Sequence, residues 1–251
     1  MRINIATLFP EMCDAVINTS IIGRAKNAGK VEIKTFNIRD YTLNKHRNVD
    51  DTPYGGGHGM VMQTQPVYDC CKAIEAECSS KPFVIFTTAA GKVFDQQLAI
   101  ELSKKENITI VCGHYEGIDE RVIEEIADME VSIGDFVLTG GELPALVITD
   151  AVCRMCEGVL KSSEGFMEES HYSGLLEHAQ YTRPYEWMGR KVPDVLLSGH
   201  EKNIKEFRFN DSLERTRNKR PDMYEKLDLS SKQDKKLLKE MAEEDANTPT
   251  E

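Results

Sequence analysis

His114, Glu116, Asp119 and Glu120 place an imidazole and three carboxylates within seven residues, in the run Gly113-His114-Tyr115-Glu116-Gly117-Ile118-Asp119-Glu120-Arg121. Groups of this kind move protons or hold a divalent cation. A metal-dependent hydrolase built on these four is the weakest reading, because all of them fall on one short loop and helix start with no partner cluster elsewhere. A second stretch, Ser132-Ile133-Gly134-Asp135-Phe136-Val137-Leu138-Thr139-Gly140-Gly141-Glu142-Leu143-Pro144, points to main-chain chemistry instead. Its three glycines flank a short β-prone run at 136–139, and it closes on a helix start with proline in the first turn. Glycine admits positive φ and lets a ligand touch the backbone itself, so the economical reading is a pocket whose amides and carbonyls hold a small molecule. Two tight turns around a strand, with no ligand, are the plainer alternative.

The elements around these loops repeat one unit. Residues 108–112 are a compact apolar strand that runs into the Gly113 loop and then a helical pattern. Residues 83–87 form another strand, ending in Thr88-Ala89-Ala90-Gly91 before a helix at 95–105. With strands at 3–9, 31–37 and 136–139, the first 160 residues alternate strand and helix, which predicts an α/β fold with a mostly parallel sheet covered on both faces. Loops at the carboxyl ends of such strands are where open sheets bind ligands, so three loops converge on one expected site. Residues 161–172 read as a polar linker, and 173–251 as a small helical domain with helices at 204–213 and 234–241 and an acidic, fraying tail from 243.

Composition narrows the class. The chain has 251 residues, 40% hydrophobic and 29% charged, enough for one large or two modest soluble domains. Arg2 is followed by only seven mostly apolar residues before Pro10, too few for a signal sequence, and no apolar run approaches a membrane span; the expectation is a cytoplasmic protein without a membrane partner. Seven cysteines, an odd number scattered through predicted helices and strands, suit a reducing compartment. Cys153 and Cys156 form a C-x-x-C, but no second pair accompanies them, and ordinary helix packing is favoured over zinc. The net charge of −11 argues against a nucleic-acid partner, whereas between Lys202 and Arg220 seven basic residues face three acidic ones. That segment is either a solvated helix face or a phosphate-contacting surface. Neither Gly55 to Gly59 nor Ala90-Gly91-Lys92-Val93 meets the P-loop or dinucleotide spacing, which argues against triphosphate hydrolysis.

Pro53-Tyr54-Gly55-Gly56-Gly57-His58-Gly59-Met60, Val111-Cys112-Gly113-His114-Tyr115-Glu116-Gly117-Ile118-Asp119-Glu120-Arg121, the 132–144 segment and Tyr181-Thr182-Arg183-Pro184 occur in this order. Together they closely resemble the bacterial tRNA (guanine-N1)-methyltransferase family, which modifies guanosine-37 beside the anticodon. The resemblance runs from Ile5-Ala6-Thr7-Leu8-Phe9-Pro10 to Ser212-Leu213-Glu214-Arg215-Thr216. It implies a SPOUT-class fold with a deep trefoil knot, a feature that pattern reading alone would not reach because threading of loops is rare. It also implies a homodimer with composite active sites, the tRNA anticodon stem-loop as partner and S-adenosylmethionine as cofactor, with magnesium dependence to which no site is assigned. Phe86, Thr87, Gly113, Tyr115, Glu116, Ile133, Gly134, Phe136, Leu138, Gly140, Gly141 and Pro144 are the implied cofactor-binding residues, mostly through the main chain.

Guanine N1 carries a proton at neutral pH, so its methylation calls for a general base near N1 and a positive group near O6. Matching the family's motif, Glu169 holds the base position and Arg154 the electrostatic one. The family most often has aspartate where this chain has Glu169, and the run Glu168-Glu169-Ser170-His171-Tyr172 leaves open whether Glu168 or Glu169 reaches the base and whether His171 shares the role. Tyr115, Tyr172 and Tyr181 are candidate stacking platforms for an extruded base. The competing readings are a methyltransferase of the same fold acting on another RNA nucleotide and a non-catalytic RNA-binding protein; the presence of Glu116, Arg154 and the three glycine loops argues against the second.

Overall fold

The computed structural model describes residues 1–160 and 169–227. The chain divides into two compact units, Met1–Ser163 and Glu164–Glu251. The expected helix at 234–241, the tail, Glu168 and most of the expected linker lie outside the described residues.

In the first unit, β1 (Arg2–Thr7), β2 (Glu32–Asn37), a short antiparallel pair β3 (Asp50–Asp51) and β4 (Val61–Met62), β5 (Phe83–Val93), β6 (Asn107–Cys112) and β7 (Met129–Ser132) are joined by helices. These are α1 (Pro10–Ile17), α2 (Ser20–Asn27), α3 (Thr64–Glu77), α4 (Gln96–Ser103), α5 (Glu120–Ile126) and α6 (Glu142–Arg154). The main sheet runs β2-β1-β6-β5-β7, and every pairing in it is parallel. All six residues of the central strand β6 are buried, as a strand covered on both faces requires. Alternation along the strands divides the core in two. Ile3, Ile5, Ile85 and Ile110 face α1, α2, α4 and α6, whereas Ala6, Val84, Phe86 and Val111 face α3 and α5.

That division positions the site. The helix after β5 lies on one face and the helix after β6 on the other, so the chain reverses direction between two neighbouring strands. A crevice opens outside the carboxyl ends at such a switch point. Strand β5 adds to it: Thr87 pairs with Val131, residues 88–91 leave the ladder, and Lys92 then pairs with Val131 again.

One expected strand is corrected. Residues 136–139 are not extended in a sheet; the last strand of the main sheet is β7, at Met129–Ser132, and 133–141 is loop. Phe136, Val137 and Leu138 are exposed, with Val137 at 89%, so their β propensity has no neighbouring strand to act on.

The second unit contains a two-residue hairpin, β8 (Glu186–Trp187) with β9 (Arg190–Lys191), then α7 (Glu201–Lys219) and α8 (Pro221–Tyr224). Helix α7 continues past the expected end at 213, because a reading of apolar periodicity stops at Leu213 while the polar final turn carries Arg217 and Lys219, cations that suit a helix carboxyl end. Residues 176–179 lie along α7 through side-chain bonds: the Leu176 amide donates to Thr216 Oγ1 at 2.8 Å, the Ala179 amide to Asp211 Oδ2 at 2.6 Å, and Arg215 Nε to the Glu177 carbonyl at 3.0 Å.

Candidate functional site

A cleft of ≈ 400 Å³ lies at the carboxyl edge of the main sheet, lined by residues 87–90, 113–118, 130–134 and 136–141 together with Glu120, Ile123 and Pro144. Its size is that of a small-ligand pocket, roughly 300–1,000 Å³. Of the twelve cofactor-binding residues expected from the sequence, Thr87, Gly113, Tyr115, Glu116, Ile133, Gly134, Phe136, Leu138, Gly140, Gly141 and Pro144 line it. Phe86 does not; its ring is fully buried in the core between β5 and α3.

The walls are set by crossing main chains. The Gly141 amide donates to the Gly113 carbonyl at 2.7 Å, and His114 and Gly140 form an antiparallel bridge. Thr87 Oγ1 donates to the Val111 carbonyl at 3.1 Å, which fixes the end of β5 against β6. A Cβ on Gly141 would collide with Thr87 Oγ1 and stand 2.8 Å from both Cys112 Cα and the Gly113 nitrogen. The glycine there is required by close approach, since its φ is −81°. Gly134, with φ at 141°, is the one glycine of the 132–144 segment in the region that side chains avoid. Tyr115 also has positive φ, 58°, and its hydroxyl accepts from Arg39 Nη2 at 3.3 Å. Such a conformation in a residue with a bulky side chain is held only by its surroundings, here a loop strapped from below. The Glu116 amide donates to the Met60 carbonyl and the Met62 amide to the Gly117 carbonyl, so the segment before α3 is zipped to the loop.

Glu130 and Glu142 at the cleft are not expected from the sequence, and His114 is expected only in the metal-binding reading. Glu130 lines the cleft and accepts from Thr88 Oγ1 at 3.0 Å; a lone acid in a short strand gives no signal. His114 lines it as well, its ring 5.1 Å from those of Phe9 and Tyr115. Glu142, read only as a helix start, is 3% exposed beneath the cleft and accepts from Thr7 Oγ1 at 2.8 Å. Burial, with the Glu142 carboxylate second, pushes the Cys13 thiol up to about 12 and the Cys112 thiol well above its ordinary range, so both are inert thiols below the cleft floor.

The proposed catalytic pair falls in different units. Arg154 is the last residue of α6 in the first unit, half-buried, and Glu169 is half-buried in the second. The Glu169 carbonyl accepts from the Tyr172 amide at 3.4 Å, and His171 has φ at 73°. Among the described residues no group of three or more His, Cys, Asp or Glu side chains is arranged to hold a metal ion, and His114, Glu116, Asp119 and Glu120 do not form one. Asp119 instead caps α5 and pairs with Arg121, whose guanidinium holds the carboxyl below its usual range.

Comparison with known proteins places the chain in a family. Residues 1–226 match the protein family described as tRNA (Guanine-1)-methyltransferase TrmD. The chain is 56% identical over 227 residues to a tRNA (guanine-N(1)-)-methyltransferase of Ruminiclostridium cellulolyticum, covering 90% of this chain and 97% of that relative. It is 56% identical over 239 residues to the protein of the same name from Clostridium perfringens strain 13, covering 95% and 99%, and 54% identical over 238 residues to that of Clostridium acetobutylicum, covering 95% and 96%. A match this long, to relatives spanned almost end to end, means that the chain belongs to the tRNA (guanine-1)-methyltransferase family.

Proposed function

We propose that this protein transfers a methyl group from S-adenosylmethionine to N1 of guanosine-37 in tRNA, with the cleft at the β5/β6/β7 edge as the cofactor site. The observation that carries this reading is the cleft itself: three loops present main-chain groups at a switch point, with glycines where side chains would collide. The residues fit the cofactor by type, with amides and carbonyls at 87–90, 113–117 and 133–141 for adenine and ribose and the Glu116 carboxylate for hydroxyl or amino groups. When bound, S-adenosylmethionine supplies an electrophilic methyl group on a sulfonium. Magnesium dependence is the family's implication, with no residues assigned to it.

Glu169 accepts the N1 proton as general base, and Arg154 offsets the negative charge that develops at O6. Helix α6 starts at the cleft with Glu142 and ends at Arg154, so twelve residues at about 1.5 Å each put the arginine roughly 18 Å along the axis from the cleft of its own chain. That separation supports sites completed by a second subunit. The same helix and its neighbour α1 leave Met12, Val16, Leu143 and Val147 exposed at i, i+4 spacing, an apolar face suited to a second copy. The 133–141 loop passes against the ends of β5 and β6 before entering α6, which supports the trefoil knot. In the second unit, Lys202, Lys205 and Arg208 are exposed on α7 and serve as tRNA phosphate contacts near the anticodon stem-loop. The domain assignment is a cofactor domain over 1–160, a linker over 161–172 that carries the base, and a tRNA-binding domain over 173–251. No helix among the described residues is long and apolar enough to cross a membrane, and a tRNA substrate supports a cytoplasmic location.

The test is to incubate the protein with a tRNA transcript and methyl-labelled S-adenosylmethionine, digest the product and map the methylated atom. Label in 1-methylguanosine at position 37 supports the reading; label in a ribose or in another base selects the related methyltransferase, and no transfer selects the binding protein.

A further inference from the structure

Under the cleft floor, four groups from three parts of the chain form an almost closed polar ring. The Phe9 amide donates to Thr7 Oγ1 at 2.9 Å, and Thr7 Oγ1 donates to Glu142 Oε1 at 2.8 Å. The other carboxylate oxygen, Oε2, lies 3.9 Å from His114 Nδ1, and the His114 ring packs back against Phe9. The ring is open at that one place. His114 Nδ1 is buried without a hydrogen-bond partner, and 3.9 Å is too long for a bond. A buried nitrogen left in this state costs free energy, about 1–3 kcal/mol for an unsatisfied polar atom. Gly140 lies over the gap: a Cβ there would collide with Glu142 Oε2 and stand 2.5 Å from His114 Nδ1.

The two groups that nearly meet belong to the two loops whose crossing makes the cleft. His114 is in the second ligand loop and bridges Gly140 in the third, while Glu142 is the first residue of α6, at the end of that third loop. A shift of about 1 Å in either loop closes the pair to the length of a charge-assisted hydrogen bond, roughly 2.7–2.9 Å. Among the described residues, the other ionisable groups that Glu142 acts on are Cys13 of α1 and Cys112 of β6, both held as neutral thiols.

We propose that Glu142 is a positioning residue of the cleft: on ligand binding its Oε2 accepts the Nδ1–H of His114, closing the ring and locking the 113–118 and 133–141 loops in their crossed arrangement. This rests on the reading of the cleft as the S-adenosylmethionine site. The pair touches no reacting atom. It converts loop movement around the ligand into a satisfied buried bond, so part of the cofactor's affinity is held in a side-chain contact beneath the cleft.

The full chain, titrated with S-adenosylhomocysteine and followed by the imidazole nitrogen signals of His114, gives the direct readout. In the wild type, Nδ1 moves to a protonated, carboxylate-bonded position on saturation. In Glu142→Gln, which keeps the size and the Thr7 contact, it does not, and calorimetry shows S-adenosylmethionine binding weakened about tenfold, the worth of one charge-assisted bond. His114→Asn places an amide N–H near the same point and retains affinity to within about threefold, whereas His114→Ala loses as much as Glu142→Gln. Wild-type binding with an unchanged His114 Nδ1 signal overturns the proposal, and this measurement needs no variant to fold. Equal affinity of Glu142→Gln and wild type also overturns it. A wild type that binds neither ligand overturns the cleft assignment, and the proposal with it.

Discussion

At the cleft, the lining loops are held by main-chain bonds such as Gly141 to Gly113 and by glycines that admit no Cβ. Along α7, the groups offered to solvent are long side chains on a helix with only Leu213 and Thr216 buried. On the proposed function, the difference matches what each surface would recognise. A small ligand is discriminated by shape and by fixed donors and acceptors, which favours backbone that cannot move; a phosphate backbone is met by charge, which tolerates mobile side chains. The cleft is therefore intolerant of single added atoms. A phosphate-binding role of the helix would be lost only in increments, as charges are removed.

Gly141→Val breaks the first half of that comparison most severely. The branched side chain meets Thr87 Oγ1 and the main chain at Cys112 and Gly113, and S-adenosylmethionine binding should fall below detection by calorimetry. The same variant should expose Cys112, now fully buried, to alkylation seen by mass spectrometry. Next in size, Glu169→Gln keeps the shape of the side chain and should leave tRNA and cofactor binding nearly intact while lowering the single-turnover methyl-transfer rate by roughly 10² to 10⁴, the usual worth of positioned proton transfer. Wild-type chemistry in this variant would move the role to Glu168 or His171.

A smaller effect sharpens the placing of Arg154 against the cleft. Arg154→Ala and Gly141→Val chains, each inactive alone, should recover about a quarter of wild-type activity when mixed, because random pairing into two-fold dimers leaves half of them mixed and each of these with one intact site. No recovery, with mixed dimers shown to form, would put Arg154 and the cleft in one subunit's site. The smallest effect belongs to α7. Lys202→Glu with Lys205→Glu should weaken tRNA binding and flatten its salt dependence by roughly 0.7–0.9 for each phosphate no longer neutralised, with cofactor affinity unchanged. Arg215 is unsuited to this test, since its Nε holds the Glu177 carbonyl and its guanidinium faces Asp211.

The sequence made the parallel sheet legible because β1, β6 and the first half of β5 are apolar runs buried almost throughout, while β2 lies at the sheet edge with only Ile33 buried; the expected bounds shift by one or two residues, except that β5 runs on to Val93 and does not end at Thr87. The exceptions have physical causes. Residues 136–139 carry strand-forming side chains that face the cleft and solvent instead of a neighbour, while the real strand, Met129–Ser132, contains Glu130 and so breaks the apolar run. Eleven of the twelve residues that the family resemblance implied line the cleft; glycine spacing by itself pointed only to the loops around Gly113 and Gly134 to Gly141. The Thr7, Glu142 and His114 ring was not visible, since Thr7 is more than a hundred residues from the other two and all three meet only once β1, the Gly113 loop and α6 have packed.

Amide hydrogen exchange tests the central claim, that the cofactor is held by the backbone of the crossing loops. With saturating S-adenosylhomocysteine, amides at 113–117 and 133–141 should gain protection while those of α7 stay as in the free protein, and added tRNA should then protect peptides of the second unit. Unchanged exchange in both loops at saturation, or protection confined to other segments, would contradict the account.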